Sequence, residues 1–353
     1  MPVEIDMSAV TAFLTRLLNT PSPTGYHHEA IPLVEEALEA LGLDGLTWRH
    51  TVKGALVATL PGADPTLPHR AVAAHVDTLG AMVREIKSNG RLLLTQIGGY
   101  AWQSVEGENV TILTEGGARF RGTIQAVHPS VHTSHEVRDA KRDDEAMEVR
   151  IDARTAKKEE TEALGIAVGD FVVLDPRVEV TETGYIKSRH LDDKAGVAAV
   201  YGALLALRAE GRPPARTSHF FMSNYEEVGH GASVGIPPEA QELIVVDMAA
   251  STTGEHQNSD EYTVGICAKD SSGPYDLELR RRLTALCRAE SIPYRIDTYP
   301  YYGSDGSAYL RAGGEVCVGV IGPGVDASHG YERTHTESLE ATIRLLVAYL
   351  LAE

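Results

Sequence analysis

Cysteine is scarce in this chain: three residues in 353, Cys267, Cys287 and Cys317. Their odd number and wide spacing exclude a disulfide framework and a cysteine-rich zinc pattern, so they read as reduced, packed thiols. Positive charge is short as well, with 32 Lys and Arg against 50 Asp and Glu and a net charge of −18. Nucleic acids and anionic membrane surfaces are held mainly through Lys and Arg, so neither is expected as a partner. No stretch is apolar for the length a bilayer demands, and the opening "MPVEIDMSAVTAFLTRLLNT" lacks the basic-then-apolar order of a signal peptide. A cytoplasmic location is expected. There is no internal repeat and no low-complexity linker.

What is present is an apolar fraction of 43%, ample for a packed core, in a chain longer than one core usually needs. "SAVTAFLTRLLN" and "HHEAIPLVEEALEAL" carry apolar residues at helical spacing, separated by the turn-rich "TPSPTG". "ALVATLPG" and "RAVAAHVD" then read as strands buried on both faces. From residue 80 to 184 the character changes to short β segments such as "NVTILTEGG" and "AMEVRIDAR", broken by glycines and charges. Within them "SHEVRDAKRDDEAME" is too charged for core and reads as a solvated loop. Strands alternating with helices return at "SRHLDDKAGVAAVYGALLALRAEG" and continue to the C-terminal "ESLEATIRLLVAYLLAE". The expected fold is therefore α/β: a mixed, largely parallel sheet flanked by helices on both faces, with an inserted small β-rich domain. The expected boundaries are 1–79 and 185–353 for the main domain and 80–184 for the insertion.

In open α/β sheets, sites form where strands end and loops begin. The ionisable residues at such places are His75 and Asp77, Asp192 and Asp193, Glu226 and Glu227, Asp247, and a histidine near the C-terminus, His335 or His329. Taken singly each has a plain explanation: Asp192 or Asp193 could cap a helix, the glutamates could be a solvated strand end. Together, so many carboxylates at one sheet edge would repel one another unless a cation neutralised them. Imidazole and carboxylate ligands without thiolates suit zinc, cobalt or manganese. A carboxylate bridging two ions about 3.5–4 Å apart would leave each an open position, an arrangement used to hydrolyse amides and phosphates. Two residues apart on a strand, His75 and Asp77 could be a ligand and its orienter. Adjacent strand residues point oppositely, so one of the paired glutamates could bind metal while the other moves a proton.

The order His-x-Asp, Asp-Asp, Glu-Glu, Asp, His resembles the dinuclear metal aminopeptidases that assemble into tetrahedral particles, also described as glutamyl aminopeptidases or endoglucanases. "SPTGYHHEA", "IGGYAWQSVEGENVTI", "GTIQAVHPSVH", "LGIAVGDFV" and "YYGSDGSAYLRAGG" extend the resemblance over nearly the whole chain. It implies a zinc-exopeptidase-like fold whose insertion makes subunit contacts. It also implies two divalent metal ions per subunit, zinc or cobalt with manganese as a further option. His75, Asp192 and Asp247 would hold one ion, and Asp192, Glu227 and His335 the other, so that Asp192 bridges them. Glu226 matches the general base, Asp77 the residue orienting His75, and a cis peptide is implied at Asp192–Asp193. The context "RTHTESLE" favours His335 over His329 as the last ligand. Lys194 departs from the arginine usual in that family, and lysine cannot make the same bidentate contact.

The implied activity is removal of N-terminal residues from short peptides by a homo-oligomer, built of dimers up to twelve subunits. Two other activities share some of these residues. A metallo-amidase acting on small blocked dipeptides would keep the metals and dispense with a free amine, whereas a glycosidase would use two carboxylates and no transition metal. A non-catalytic peptide-binding or assembly protein would have no need of Glu226.

Overall fold

The apolar periodicity of the first third gives two helices, α1 (Met7–Leu18) and α2 (Ala30–Leu41), and three strands, β1 (Thr47–His50), β2 (Leu56–Leu60) and β3 (His69–His75). These belong to a computed structural model that describes residues 3–251 and 256–353. Helix α1 starts where the Asp6 carboxylate accepts the Ala9 N–H at 2.9 Å, and α2 stops at Gly42, whose φ of 58° a residue without Cβ adopts at little cost.

Six antiparallel strands follow: β4 (Gly80–Ile86), β5 (Leu92–Ile97), β6 (Asn109–Leu113), β7 (Arg119–Ala126), β8 (Met147–Ile151) and β9 (Phe171–Leu174), with a short helix α3 (Lys158–Glu162) before the last. They close into a barrel in the order β4-β5-β8-β7-β6-β9 around its own apolar core, including Ile112, Ile124, Val149 and Val172. The charged segment 134–147 lies mostly at the surface, yet Asp144 accepts the Trp102 indole N–H at 2.7 Å and Arg142 meets Glu106 at 2.8 Å.

The chain then re-enters the main sheet through β10 (Glu179–Val180), β11 (Tyr185–Ser188), helix α4 (Leu191–Glu210), β12 (Ser218–Ser223), β13 (Ala240–Val246), β14 (Ala249–Ser251), β15 (Val264–Asp270) and β16 (Gly273–Pro274). Helix α5 (Leu277–Ala289), β17 (Tyr294–Thr298), α6 (Asp305–Arg311), β18 (Cys317–Asp326), β19 (Glu332–His335) and α7 (Thr336–Leu351) complete it. The sheet runs β1-β2-β12-β3-β13-β18-β19-β11-β10, with β14 and β15 on β18 and with β16 and β17 on β15. Its centre, β12-β3-β13-β18, is parallel.

Helices α1, α2, α4, α5 and α7 cover one face and bury the larger core. On α4 the small residues Ala195, Ala198, Ala199 and Ala203 allow close packing, and at Gly202 a Cβ would come within 2.7 Å of Ile343 and 2.9 Å of Val10. Helical cover on both faces was expected. The second face carries the short α6 and irregular segments bearing Ala232 and Ile236, because its core residues lie between turns rather than on long helices. Cys267 and Cys287 are buried free thiols and Cys317 is exposed. Among the described residues no helix is long and apolar enough to cross a membrane.

A carboxylate and histidine cluster as candidate metal centre

The parallel strands β3, β12 and β13 all point their C-terminal ends at one edge, and the barrel leaves the chain from that edge directly after β3. His75 is the last residue of β3, and its side chain is 2% exposed. Its Nε2 lies 3.2 Å from Asp192 Oδ1 and 3.7 Å from Glu226 Oε2, while Nδ1 is 2.9 Å from the Asp77 backbone carbonyl. The Asp77 carboxylate stands farther off, 3.7 Å from Nδ1. That carboxylate accepts the Thr24 hydroxyl at 2.7 Å and the backbone N–H groups of Glu226 and Glu227 at 3.1 and 3.2 Å. Asp77 therefore orients His75 through its carbonyl oxygen and anchors the paired glutamates through its carboxylate.

Asp192 and Asp193 open α4 in non-helical backbone, and the peptide bond between them is cis. The two side chains do different work. Asp193 is turned inward, accepting the Gly196 N–H at 3.2 Å as a helix cap and the His75 N–H at 3.2 Å. Asp192 faces the cleft with one oxygen on each of two imidazoles: Oδ1 toward His75, and Oδ2 at 3.3 Å from His329 Nε2. Lys194 points away, its ammonium bonded to the Leu17 and Thr20 carbonyls at the end of α1, at 3.0 and 2.7 Å.

The glutamates were expected on a strand. Strand β12 ends at Ser223, and Glu226–Val228 form a 3₁₀ turn that Gly229 closes with φ 82°. A strand would have sent the two carboxylates to opposite faces, whereas this turn lets both line the same cleft. Glu227 Oε2 lies 3.5 Å from His329 Nε2, and Glu227 Oε1 is buried with no hydrogen-bond partner. Asp247, at the end of β13, lines the same cleft and is 3% exposed.

His335 does not join this group. As the residue before α7, it offers Nδ1 to the Glu337 N–H at 3.1 Å and Nε2 to the Thr183 carbonyl at 2.9 Å, between the rings of Tyr185 and Tyr262. Both ring nitrogens are taken up, Nδ1 by the helix cap and Nε2 by the Thr183 carbonyl. The histidine that reaches the cluster is His329, on the turn between β18 and β19 with φ 64°, its Nδ1 hydrogen-bonded to the Gly99 carbonyl of the barrel. Glu332, which the sequence reading passed over, fixes both partners: it accepts the Asp192 N–H at 3.1 Å and the His329 N–H at 3.0 Å. Its spacing of three residues from His329 was the available signal.

The electrostatics of the cluster match a cation-binding role. Burial pushes the Glu226 and Glu227 carboxyls well above the usual range, and the Asp247 and Asp192 charges respectively add to it. Burial and the Asp192 charge raise Asp247 to about 7 and Glu332 to about 8. Burial alone would lower both imidazoles, but hydrogen bonds to Asp192 and the adjoining carboxylates outweigh it, so His75 rises well above its ordinary value and His329 to about 10. Those same hydrogen bonds hold Asp192 below the usual range against its burial. Four carboxylates at the base of one cleft, one with an orphaned oxygen, are what a divalent cation would neutralise. One ligand atom each from His75, Asp192 and Glu227 lies within 4.8 Å of the others. The cleft is about 650 Å³ and continues past Gln257, Tyr299, Tyr301, Tyr302 and Arg311.

Comparison with known proteins identifies the family. The Bacillus subtilis protein YhfE, described as a candidate aminopeptidase, is 47% identical over 337 residues, 96% of either chain. Among solved structures, the aminopeptidase APDkam598 of Desulfurococcus kamchatkensis superposes with a TM-score of 0.88 at 22% identity, covering 98% of this chain and 96% of that one. The Pyrococcus horikoshii TET1 peptidase, which can assemble into a tetrahedron or a large octahedral shell, gives 0.82 at 22% identity over 98% and 100%. The family model described as M42 glutamyl aminopeptidase matches residues 54–345. The chain belongs to the M42 glutamyl aminopeptidase family and is a metal-dependent aminopeptidase.

Proposed function

We propose that this enzyme removes single residues from the free amino termini of short peptides with two divalent ions, zinc or cobalt, and with Glu226 as the proton carrier. His75, Asp192 and Asp247 would hold one ion, and Asp192, Glu227 and His329 the other. The observation that carries this reading is the placement of Asp192, one carboxylate oxygen toward each histidine. When bound, the ions polarise the scissile carbonyl and lower the pKa of the attacking water.

The protein's own groups do the rest. Glu226 takes a proton from the attacking water as the new C–O bond forms. Its burial among other carboxylates favours holding that proton. It then delivers the proton to the peptide nitrogen as the C–N bond breaks, so that a free amino acid and a shortened peptide leave. Asp77 keeps Glu226 and Glu227 in register through their backbone N–H groups. Acidic side chains at the base of the cleft attract the positive terminal amine, and Tyr299, Tyr301, Tyr302 and Arg311 meet the substrate farther out.

We assign the catalytic part to residues 1–79 and 185–353, and subunit contacts to the inserted 80–184. A cytoplasmic homo-oligomer, from dimers to twelve subunits, fits the assembly of the P. horikoshii relative. Glu226→Gln keeps the shape and loses the titrating oxygen. It should lower kcat by about 10²–10⁴-fold with the metal content of the wild type. Turnover near the wild-type rate would contradict the role of Glu226.

A further inference from the structure

At the opposite end of the main sheet three strands bring together a second set of metal-ligating side chains. His69 opens β3, some 20 Å from His75 at about 3.3 Å per strand residue. His219, the second residue of β12, pairs with Ala71 of β3, so it shares a face with His69. Glu239 stands just before Ala240, the residue of β13 that pairs with His69. One ligand atom from each of His69, His219 and Glu239 lies within 4.8 Å of the other two.

We propose that His69, His219 and Glu239 form a separate site for a zinc-class divalent cation, clamping the starts of β3, β12 and β13. His69 Nδ1 and His219 Nε2 are 3.0 Å apart. Two imidazole nitrogens on one tetrahedral zinc, each bonded at about 2.0–2.1 Å, stand roughly 3.3 Å apart, so the pair is nearly in place for a shared ion. The outer partner is present too: Thr59, opposite His219 on β2, lies 2.9 Å from His219 Nδ1. In the tautomer that donates Nδ1–H to the Thr59 hydroxyl oxygen, the Nε2 lone pair of His219 points toward His69. The ion would take the place of the proton between the two rings, which passes to His69 Nε2 or is released to solvent.

The charged surroundings suit this role. Burial, His69 and Arg49 lower His219 to about 4 against the opposing pull of Glu239. Two imidazoles and one carboxylate favour zinc, cobalt, nickel or copper over magnesium or calcium. His219 is buried, His69 partly buried and Glu239 exposed, so the ion would enter from solvent and keep water as its fourth ligand. The site makes no contact with the peptide cleft, and its role is to hold strand ends together.

The test uses tag-free full-length protein stripped with chelator and titrated with zinc against a chromogenic competitor. Wild type should bind one zinc equivalent per subunit more than His69→Gln or Glu239→Gln, whatever the occupancy of the catalytic centre. Thr59→Val should weaken that extra equivalent by about 10–100-fold. His69→Gln should keep wild-type peptidase activity and lose the part of the zinc-induced rise in Tm that belongs to this site. Equal zinc stoichiometry and equal Tm shifts in wild type, His69→Gln and Glu239→Gln would overturn the proposal.

Discussion

At the residue scale, the distinction between His329 and His335 shows what sequence context can misassign. The segment "RTHTESLE" points to His335 because a histidine leading into the last helix resembles the family pattern. A histidine at that position also makes a good helix cap, and the structure uses it so. His329, in "ASHGYE", has the poorer context by that measure, and only the fold brings it over Asp192. That His75, Asp192, Glu226, Glu227 and Asp247 come together was legible because strand ends and a helix start concentrate them at one sheet edge. Glu332 was not, since its one mark, the spacing of three residues from His329, does not reveal the Asp192 N–H that the fold brings to it. The two histidines make opposite predictions. His329→Ala should lose activity and one equivalent of metal. His335→Ala should keep its metal and lose about 1–2 kcal/mol of stability with the cap. Metal analysis and denaturant unfolding of both variants check this, and the reverse assignment of metal loss would restore His335 as a ligand.

At the element scale, the buried run of β3 was readable from composition, whereas its coupling to α7 was not. Arg70 is inside the protein, its side chain 1% exposed and 3.4 Å from Glu242. It donates to the carbonyls of Tyr349 and Ala352 at 2.8 and 2.6 Å, and its guanidinium lies 4.5 Å from the centre of the Tyr349 ring. An arginine at the start of an apolar strand reads as a surface residue until the C-terminal helix folds across it. Arg70→Ala leaves the Tyr349 and Ala352 carbonyls without this donor and removes one partner of Glu242. It should lower stability by about 3–5 kcal/mol, read as a shift of the urea midpoint with the slope unchanged. A shift below 1 kcal/mol would mean that Arg216 and Arg282, at 3.3 and 2.8 Å from Glu242, suffice without it. The 3₁₀ turn carrying Glu226 and Glu227 was equally hidden. Its register depends on Asp77, about 150 residues away in sequence, and no local periodicity reports such a contact.

At the scale of the whole molecule, alternating strands and helices with a β-rich interruption were enough to predict a parallel α/β sheet carrying an insertion. They did not reveal that the six inserted strands close into a barrel, because closure depends on β9 pairing with both β4 and β6. The barrel rises from the edge that carries the carboxylate and histidine cluster, and it reaches that cluster through the Gly99 carbonyl on His329. Assembly through residues 80–184 predicts a particle mass in solution that is a multiple of 38.1 kDa, from two to twelve subunits. Light scattering on the eluting protein measures it, and a lone 38.1 kDa species at working concentration would contradict the assignment of subunit contacts.

The most direct test of the central claim is to follow a pair of short peptides, identical except that one is N-acetylated, by mass spectrometry with zinc- or cobalt-loaded enzyme, before and after chelation. Stepwise loss of single residues from the free peptide alone, abolished by chelator and restored by metal, is the predicted result. Cleavage of the acetylated peptide at a comparable rate, or turnover that survives chelation, would contradict a metal-dependent aminopeptidase that acts on a free amino terminus.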